Sequence, residues 1–162
     1  MSQQVNHLVG SIIKLKGFVT QKSDIQGMTL KQLESTLGLM TGTFEKGAVV
    51  AILERPELNR LLNGEVDFEY FGDTRIPEHK FSQLKNKSLD KNELKQNILV
   101  YLKGAKPDIV KVFAIEKTIL TRDLDKRYPI GNGGALQLKL NESLNFTIIS
   151  IIDKYPYGPF LY

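Results

Sequence analysis

The chain of 162 residues contains no cysteine and no tryptophan, and it has only two histidines, His7 and His79. Without cysteine there is no disulfide framework, no thiolate nucleophile and no thiolate-held metal. The same absence fits a reducing compartment. With two imidazoles and no thiol, a protein-built metal site has little to draw on, so none is expected. No Gly-x-Ser-x-Gly elbow occurs, which leaves a hydrolase triad without an obvious nucleophile. No apolar run approaches the roughly 18 residues that span a bilayer. The first residues, Met1-Ser2-Gln3-Gln4, lack a basic region, and His7, Gly10, Ser11 and Lys14 interrupt the apolar residues that follow. The expectation is therefore a cytoplasmic protein without a signal peptide, for which any export would use a non-classical route.

What the chain does have is the composition of a folded domain: 41% hydrophobic and 25% charged residues. A chain of this length buries roughly 68–70% of its unfolded surface and needs no staple. The net charge is +4, but it is uneven. Between Lys80 and Lys106 seven lysines face only Asp90 and Glu93, a local balance of +5. Such a block steers anionic partners, or it is simply a solvated face. It contains no arginine, the residue that makes bidentate phosphate forks, which weakens a nucleic-acid reading.

Periodicity gives a coarse order of elements. Val5, Leu8, Val9, Ile12 and Ile13 fit a helical stripe, with a strand over Ile12–Val19 as the competitor. Thr29-Leu-Lys-Gln32 has the form of a capping box, and Leu30, Leu33 and Leu37 follow as an apolar face with Gly38 as the stop. Gly47–Glu54 is a short continuous apolar run, the pattern of a buried strand that ends before Pro56. Val66, Phe68 and Tyr70 alternate with acids, and Gly72-Asp73-Thr74 predicts a turn. Asp90-Lys-Asn-Glu93 is a second capping box before a helix that Gly104 closes. Ile109–Ile115, Leu136–Leu140 and Leu144–Ile152 predict three further strands. The fold class expected is α+β: a mostly antiparallel sheet of five to six strands with two to three helices. One domain spans 1–162, helical over about 1–46 and sheet-rich over about 47–162.

Three stretches could carry chemistry. Tyr70–Phe81 places Asp73, Thr74, Arg75, Glu78, His79 and Lys80 just after a strand, where binding residues concentrate. Arg75 could fork onto a phosphate, and His79 has the intrinsic pKa for acid–base work. An ordinary polar loop explains the same residues. Tyr128–Gln137 holds Gly131, Gly133 and Gly134, which expose amide donors and let a ligand approach the backbone, with Gln137 opening the next strand. A hairpin would need only Asn132-Gly133. The segment is neither a P-loop nor a Rossmann fingerprint. The third stretch, Leu33–Leu39, is similar to the turn of a helix-turn-helix, but no recognition helix follows it.

Through Gly131-Asn-Gly-Gly-Ala-Leu-Gln137 before two strands, with Arg75 about sixty residues upstream, the C-terminal half of the chain resembles the NAD-glycohydrolase domains of the tuberculosis-necrotizing-toxin type. More broadly the chain looks like the small toxin or effector domains of bacterial polymorphic and type VI secretion systems. The resemblance implies roles for Arg75, Gln137 and the glycines 131, 133 and 134; the candidate catalytic set is Arg75, His79 and Gln137, with Tyr128, Gly131, Gly133, Gly134 and Lys80 as candidate substrate contacts and no cofactor or metal expected. That family carries a histidine on the intervening strand. Here Pro107–Lys111 has none, and His79 takes its place. Two alternatives stay open. One is a metal-independent ribonuclease with His79 as base. The other is an adaptor or immunity-type interaction module using the aromatic tail Tyr155–Tyr162.

Overall fold

A computed structural model describes residues 8–37, 39, 42–73, 91–115 and 135–153. In chain order the elements are β1 (Ile12–Gln21), α1 (Lys22–Ile25), α2 (Leu30–Thr36), β2 (Ala48–Leu53), α3 (Arg55–Leu62), β3 (Phe68–Asp73), α4 (Lys91–Ala105), β4 (Ile109–Ala114) and β5 (Leu136–Ile152). The fold is α+β, with five antiparallel strands in one sheet, ordered β1-β4-β2-β5-β3. An additional pairing of β1 with β5 links β1, β4, β2 and β5 into a ring.

The organising strand is β5. Over 17 residues it pairs with β1, β2 and β3, and its even-numbered positions from Leu136 to Ile152 are buried except around 142. The sequence pattern predicts two strands here, Leu136–Leu140 and Leu144–Ile152, with the polar Asn141-Glu-Ser143 between them. The chain instead keeps its direction and absorbs the polar triplet as a bulge. Leu15 pairs with Leu144 and Gly17 with Leu140, so β5 carries two extra residues opposite Lys16. The triplet finds partners where it stands. Asn141 N donates to Asp67 O (2.9 Å), Glu142 Oε2 accepts from Asp67 N (3.1 Å), and Glu142 lies 3.6 Å from Arg60.

The N-terminal segment is a strand, not the helix that the first apolar stripe favours. Ile13 and Leu15 pack inward while Lys14 and Lys16 are exposed, which is period two. Cross-strand pairing with β5 from Ile12 to Val19 decides the competition. The region read as helical therefore opens with a strand that belongs to the sheet. The chain also does not turn at Gly72-Asp73: β3 runs through Asp73. Nor does Gly104 close the last helix. The helix reaches Ala105, and Lys106 takes the left-handed conformation (φ 48) that ends it.

Both faces of the sheet are covered. On one face β5 leucines and Phe146 meet Leu58 and Leu61 of α3 and Ile98, Leu99 and Leu102 of α4. On the other, Val50 and Val110 meet Ile25, Leu30, Leu33 and Phe44. This double cover is why β2 reads as an unbroken apolar run. Each fully buried Leu or Phe contributes roughly 1.5–3 kcal/mol relative to exposure. The Thr29 capping box forms as expected, with Thr29 Oγ1 accepting from Gln32 N (3.1 Å) and Gln32 Oε1 accepting from Thr29 N (2.8 Å).

The short helix α3 has no counterpart in the sequence reading, although Pro56 in its first turn is a start signal. Its acids tie it to β5. Glu57 Oε2 accepts from Asn145 N (2.8 Å), and the Glu54 carboxylate accepts from the Thr147 hydroxyl. Burial pushes the Glu57 carboxyl up, but the Asn145 amide and the Arg60 guanidinium at 2.8 Å outweigh it and hold Glu57 below the usual range.

Two predictions follow from this packing. A carboxylate held low stabilises the fold above its unfolded pKa of about 4.3, and that contribution is lost as pH falls through the folded value. Glu57→Gln should therefore lower the urea midpoint at neutral pH, and the gap from wild type should narrow on acidification below pH ~4. Gly47 sits at φ +109, where an added Cβ would lie 2.7 Å from Ile152 O on β5. Gly47→Ala should cost at least about 2 kcal/mol in urea unfolding.

Candidate functional site

The site grows out of a change of partner in β1. From Ile12 to Val19 the strand pairs with β5; its last two residues, Thr20 and Gln21, pair with Val110 and Ile109 of β4. Beyond Val110, β4 runs on to Ala114 against β2, and its register with β1 has ended. The two strands part there and leave a seam. Lys111 bridges it, donating from Nζ to Phe18 O at 3.0 Å. The Lys139 ammonium lies 5.9 Å from the centroid of the Phe18 ring on the same strand pair.

A cavity of about 260 Å3 occupies the seam. Phe18, Val19 and Thr20 line it from β1, the stretch from Val110 to Ala114 from β4, and Leu136 and Gln137 from β5. Leu37, Leu39, Thr43 and Phe44 form its remaining wall. That wall is irregular chain, and Glu34 at the end of α2 shapes it. Glu34 is 2% exposed, and its Oε2 accepts from Gly42 N (3.1 Å) and Phe44 N (2.8 Å). Its own carbonyl accepts from Leu39 N (2.8 Å). A buried carboxylate holding two amides substitutes for regular secondary structure in this segment.

Most of the lining is apolar. Its polar members are Thr20, Thr43, Gln137 and Lys111, and Lys111 is the charged one. Thr20 stands out. It is 4% exposed, and its Oγ1 is the one buried side-chain polar atom without a hydrogen-bond partner among the described residues. Leaving a buried hydroxyl unsatisfied costs about 1–3 kcal/mol. Among the described residues the lining holds no arginine and no carboxylate, so these residues give the cavity neither a paired acid and base nor a phosphate fork.

Of the residues singled out in the sequence, Gln137 is at this site, half-buried near the start of β5. Arg75, His79 and Lys80, and likewise Tyr128, Gly131, Gly133 and Gly134, lie outside the described residues, as does the tail Tyr155–Tyr162. What is described is where their flanking strands end. β3 finishes at Asp73, and Asp73 pairs with Leu136, the first residue of β5. Thr20, Lys111 and Glu34 carry no motif that marks them in the sequence. Thr20 was obscured further by the competing helical reading of the N-terminal segment. Among the described residues no group of three His, Cys, Asp or Glu could hold a metal ion, and no helix is long and apolar enough to cross a membrane.

No protein-family model, curated protein or solved structure matches this chain.

The geometry makes two opposite stability predictions. Thr20→Val removes an unpartnered hydroxyl at nearly constant shape and should raise stability by about 1 kcal/mol, or roughly 2–4 °C in Tm for a chain of this size. Glu34→Ala strips the acceptor from two backbone amides and should cost about 2–4 kcal/mol, as measured by urea unfolding.

Proposed function

We propose that this protein is a small bacterial effector-type domain that acts on a nucleotide, with NAD as the substrate. The observation that supports the reading is the pairing of Asp73 with Leu136. It brings the strand leading to Arg75, two residues on, and the strand entered from Gly134, two residues before, to one end of the β3–β5 pair. Gln137 follows on the same strand and faces a cavity large enough for one ring. Strand ends of this kind are where a sheet presents binding groups.

In this reading Arg75 clamps the pyrophosphate, and the amides around Gly131, Gly133 and Gly134 approach its oxygens. Gln137 hydrogen-bonds the ribose or the carboxamide, Tyr128 stacks on a ring, and Lys80 adds positive charge. Hydrolysis breaks the bond between ribose C1′ and the nicotinamide nitrogen. The bonding pair leaves with the nitrogen, which is neutralised from its pyridinium form. Water adds to C1′ and gives up one proton, for which His79 is the acceptor. Preorganised polar groups around the developing oxocarbenium ion supply the acceleration.

One observation favours a second reading. Arg55, Lys103 and Lys106 line a groove between α3 and the end of α4 together with Asn59 and Asn63, with no carboxylate among the described residues. A polyanion suits that groove, which would fit a metal-independent ribonuclease with His79 as base and Arg75 and Lys80 at the phosphate.

The first reading is tested by incubating the purified protein with NAD and following nicotinamide. Turnover above buffer is expected, falling about a hundredfold or more in Arg75→Ala and in Gln137→Ala. Wild-type protein indistinguishable from buffer overturns it. RNA cleavage by the same preparation, with binding that weakens steeply with salt, would move the assignment to the second reading.

A further inference from the structure

The geometry points to a binding track for single-stranded nucleic acid over the end of α4, in which the basic groove beside α3 holds phosphates and a second cleft, reached past Lys106, takes a base. Such a track rests on the polyanion groove of the second reading, but it is a matter of binding alone and needs no cleavage.

Two helices supply the cations. Arg55 comes from the first turn of α3, Lys103 from the last turn of α4 and Lys106 from just beyond it. All three are exposed, and none forms an ion pair among the described residues. Their summed field, rather than the aim of one side chain, is what draws a polyanion. The groove holds about 510 Å3, with apolar surface from Leu58 and Leu62 beside the charges.

Two of the three cations sit where the local backbone opposes them. A helix N-terminus carries partial positive charge, which disfavours Arg55 at the start of α3. Lys106, at φ 48, is the one non-glycine residue in the left-handed region among the described residues, and it stands where a helix end ordinarily uses glycine. The dipole of α4 accounts for a cation at Lys103, but not for a long side chain in the left-handed conformation. Charged residues kept against local preference on two helices, and lining one groove, point to a shared ligand.

Lys106 also lines a second cleft of about 470 Å3, so the two spaces meet at this residue. The second has a different character. Tyr101 contributes a ring, Ser23 and Gln26 a hydroxyl and an amide, and Lys22 and Asp108 opposite charges. A ring with hydrogen-bonding groups and little net charge suits a base, as three cations suit phosphates. Stacking on an aromatic ring needs a base free of its duplex, which selects a single strand. An acidic peptide would use the cations and leave the ring without a role.

The test is fluorescence anisotropy of the full chain with a labelled 2′-O-methyl oligouridine of about ten nucleotides. This probe lacks the 2′-hydroxyl nucleophile, so it reads binding whether or not the protein cleaves RNA, and a silent cleavage or NAD assay is a separate result. A Kd of about 1–100 µM is expected near physiological salt, with three phosphate contacts giving a log–log salt slope of about −2. Binding should weaken roughly tenfold to twentyfold between about 50 and 200 mM salt. Arg55→Gln and Lys106→Gln should each weaken it about threefold to tenfold and make the slope shallower by about 0.7, while Tyr101→Leu should weaken it at unchanged slope. Lys31→Gln, on α2, should match wild type. Lys106→Gly should bind as weakly as Lys106→Gln while its urea midpoint is at or above that of wild type, which a merely structural lysine would not show. No saturable binding up to about 200 µM protein at about 50 mM salt overturns the proposal. So do a salt slope near zero, equal affinity of wild type and the Arg55→Gln/Lys106→Gln double variant, tighter binding of a duplex of the same length, or displacement of the strand by polyglutamate at equal charge.

Discussion

The structure depends on β1 having two partners. Seven of its residues between Ile12 and Val19 pair with β5 and the last two pair with β4, and this change of neighbour closes β1, β4, β2 and β5 into a ring, with β3 outside it on β5. A strand makes such a change only if it bends, and Gly17 (φ +95) sits where its register with β5 shifts. A Cβ at that position would meet the Lys111 ammonium at 3.4 Å, the group that crosses the seam to Phe18. Closure leaves those four strands fewer free edges, which otherwise invite association, while β3 stays outside the ring and pairs with β5. It also leaves a wedge wherever two strands part before their lengths are used up. The cavity is that wedge.

The core was legible in the sequence because it rests on periodicity. Continuous burial at 48–53, alternation at Phe68 and Tyr70, and the capping box at Thr29 are local patterns with local causes, and they appear where the residues place them. The errors share one physical origin: long-range pairing that overrides a local preference. The stripe Val5, Leu8, Val9, Ile12 and Ile13 carries enough 3.6-residue spacing to pass for a helix, until β5 supplies a ladder from Ile12 onward. Asn141-Glu-Ser143 has the composition of a turn until Asp67 and Arg60 take up its polar groups. The two errors cancel in the strand count. A strand is gained at the N-terminus and two late strands merge into one. α3 escaped notice for the opposite reason, since Pro56 marks a helix start as readily as a strand end.

The candidate site was legible only in part because its members share no sequence motif. Gln137 could be picked out from its glycine-rich approach. Thr20, Lys111 and Glu34 are brought to one place by the partner switch of β1 and by a buried carboxylate on irregular chain, neither of which leaves a pattern in spacing. Sites built at a seam between strands are invisible to periodicity for this reason. Periodicity reports which face a residue occupies, not where two strands separate.

The treatment of polar groups argues that Thr20 differs from its neighbours. Elsewhere the fold uses buried or partly buried oxygens as acceptors for backbone amides that the sheet cannot reach. Glu34 holds Gly42 and Phe44, Glu57 holds Asn145, Glu142 holds Asp67, and Asp24 Oδ2 holds Leu136 at 3.0 Å. Asp24, Glu34 and Glu57 lie on α1, α2 and α3 and Glu142 lies in the bulge of β5, and each accepts from an amide that would otherwise be stranded. Thr20 is in a regular strand with its backbone in register to Val110, and nothing in the ladder needs its hydroxyl. Valine would fill the same volume in the same rotamers and suits a strand at least as well. Among the described residues, Thr20 Oγ1 is the one buried side-chain polar atom that this pattern leaves without a partner.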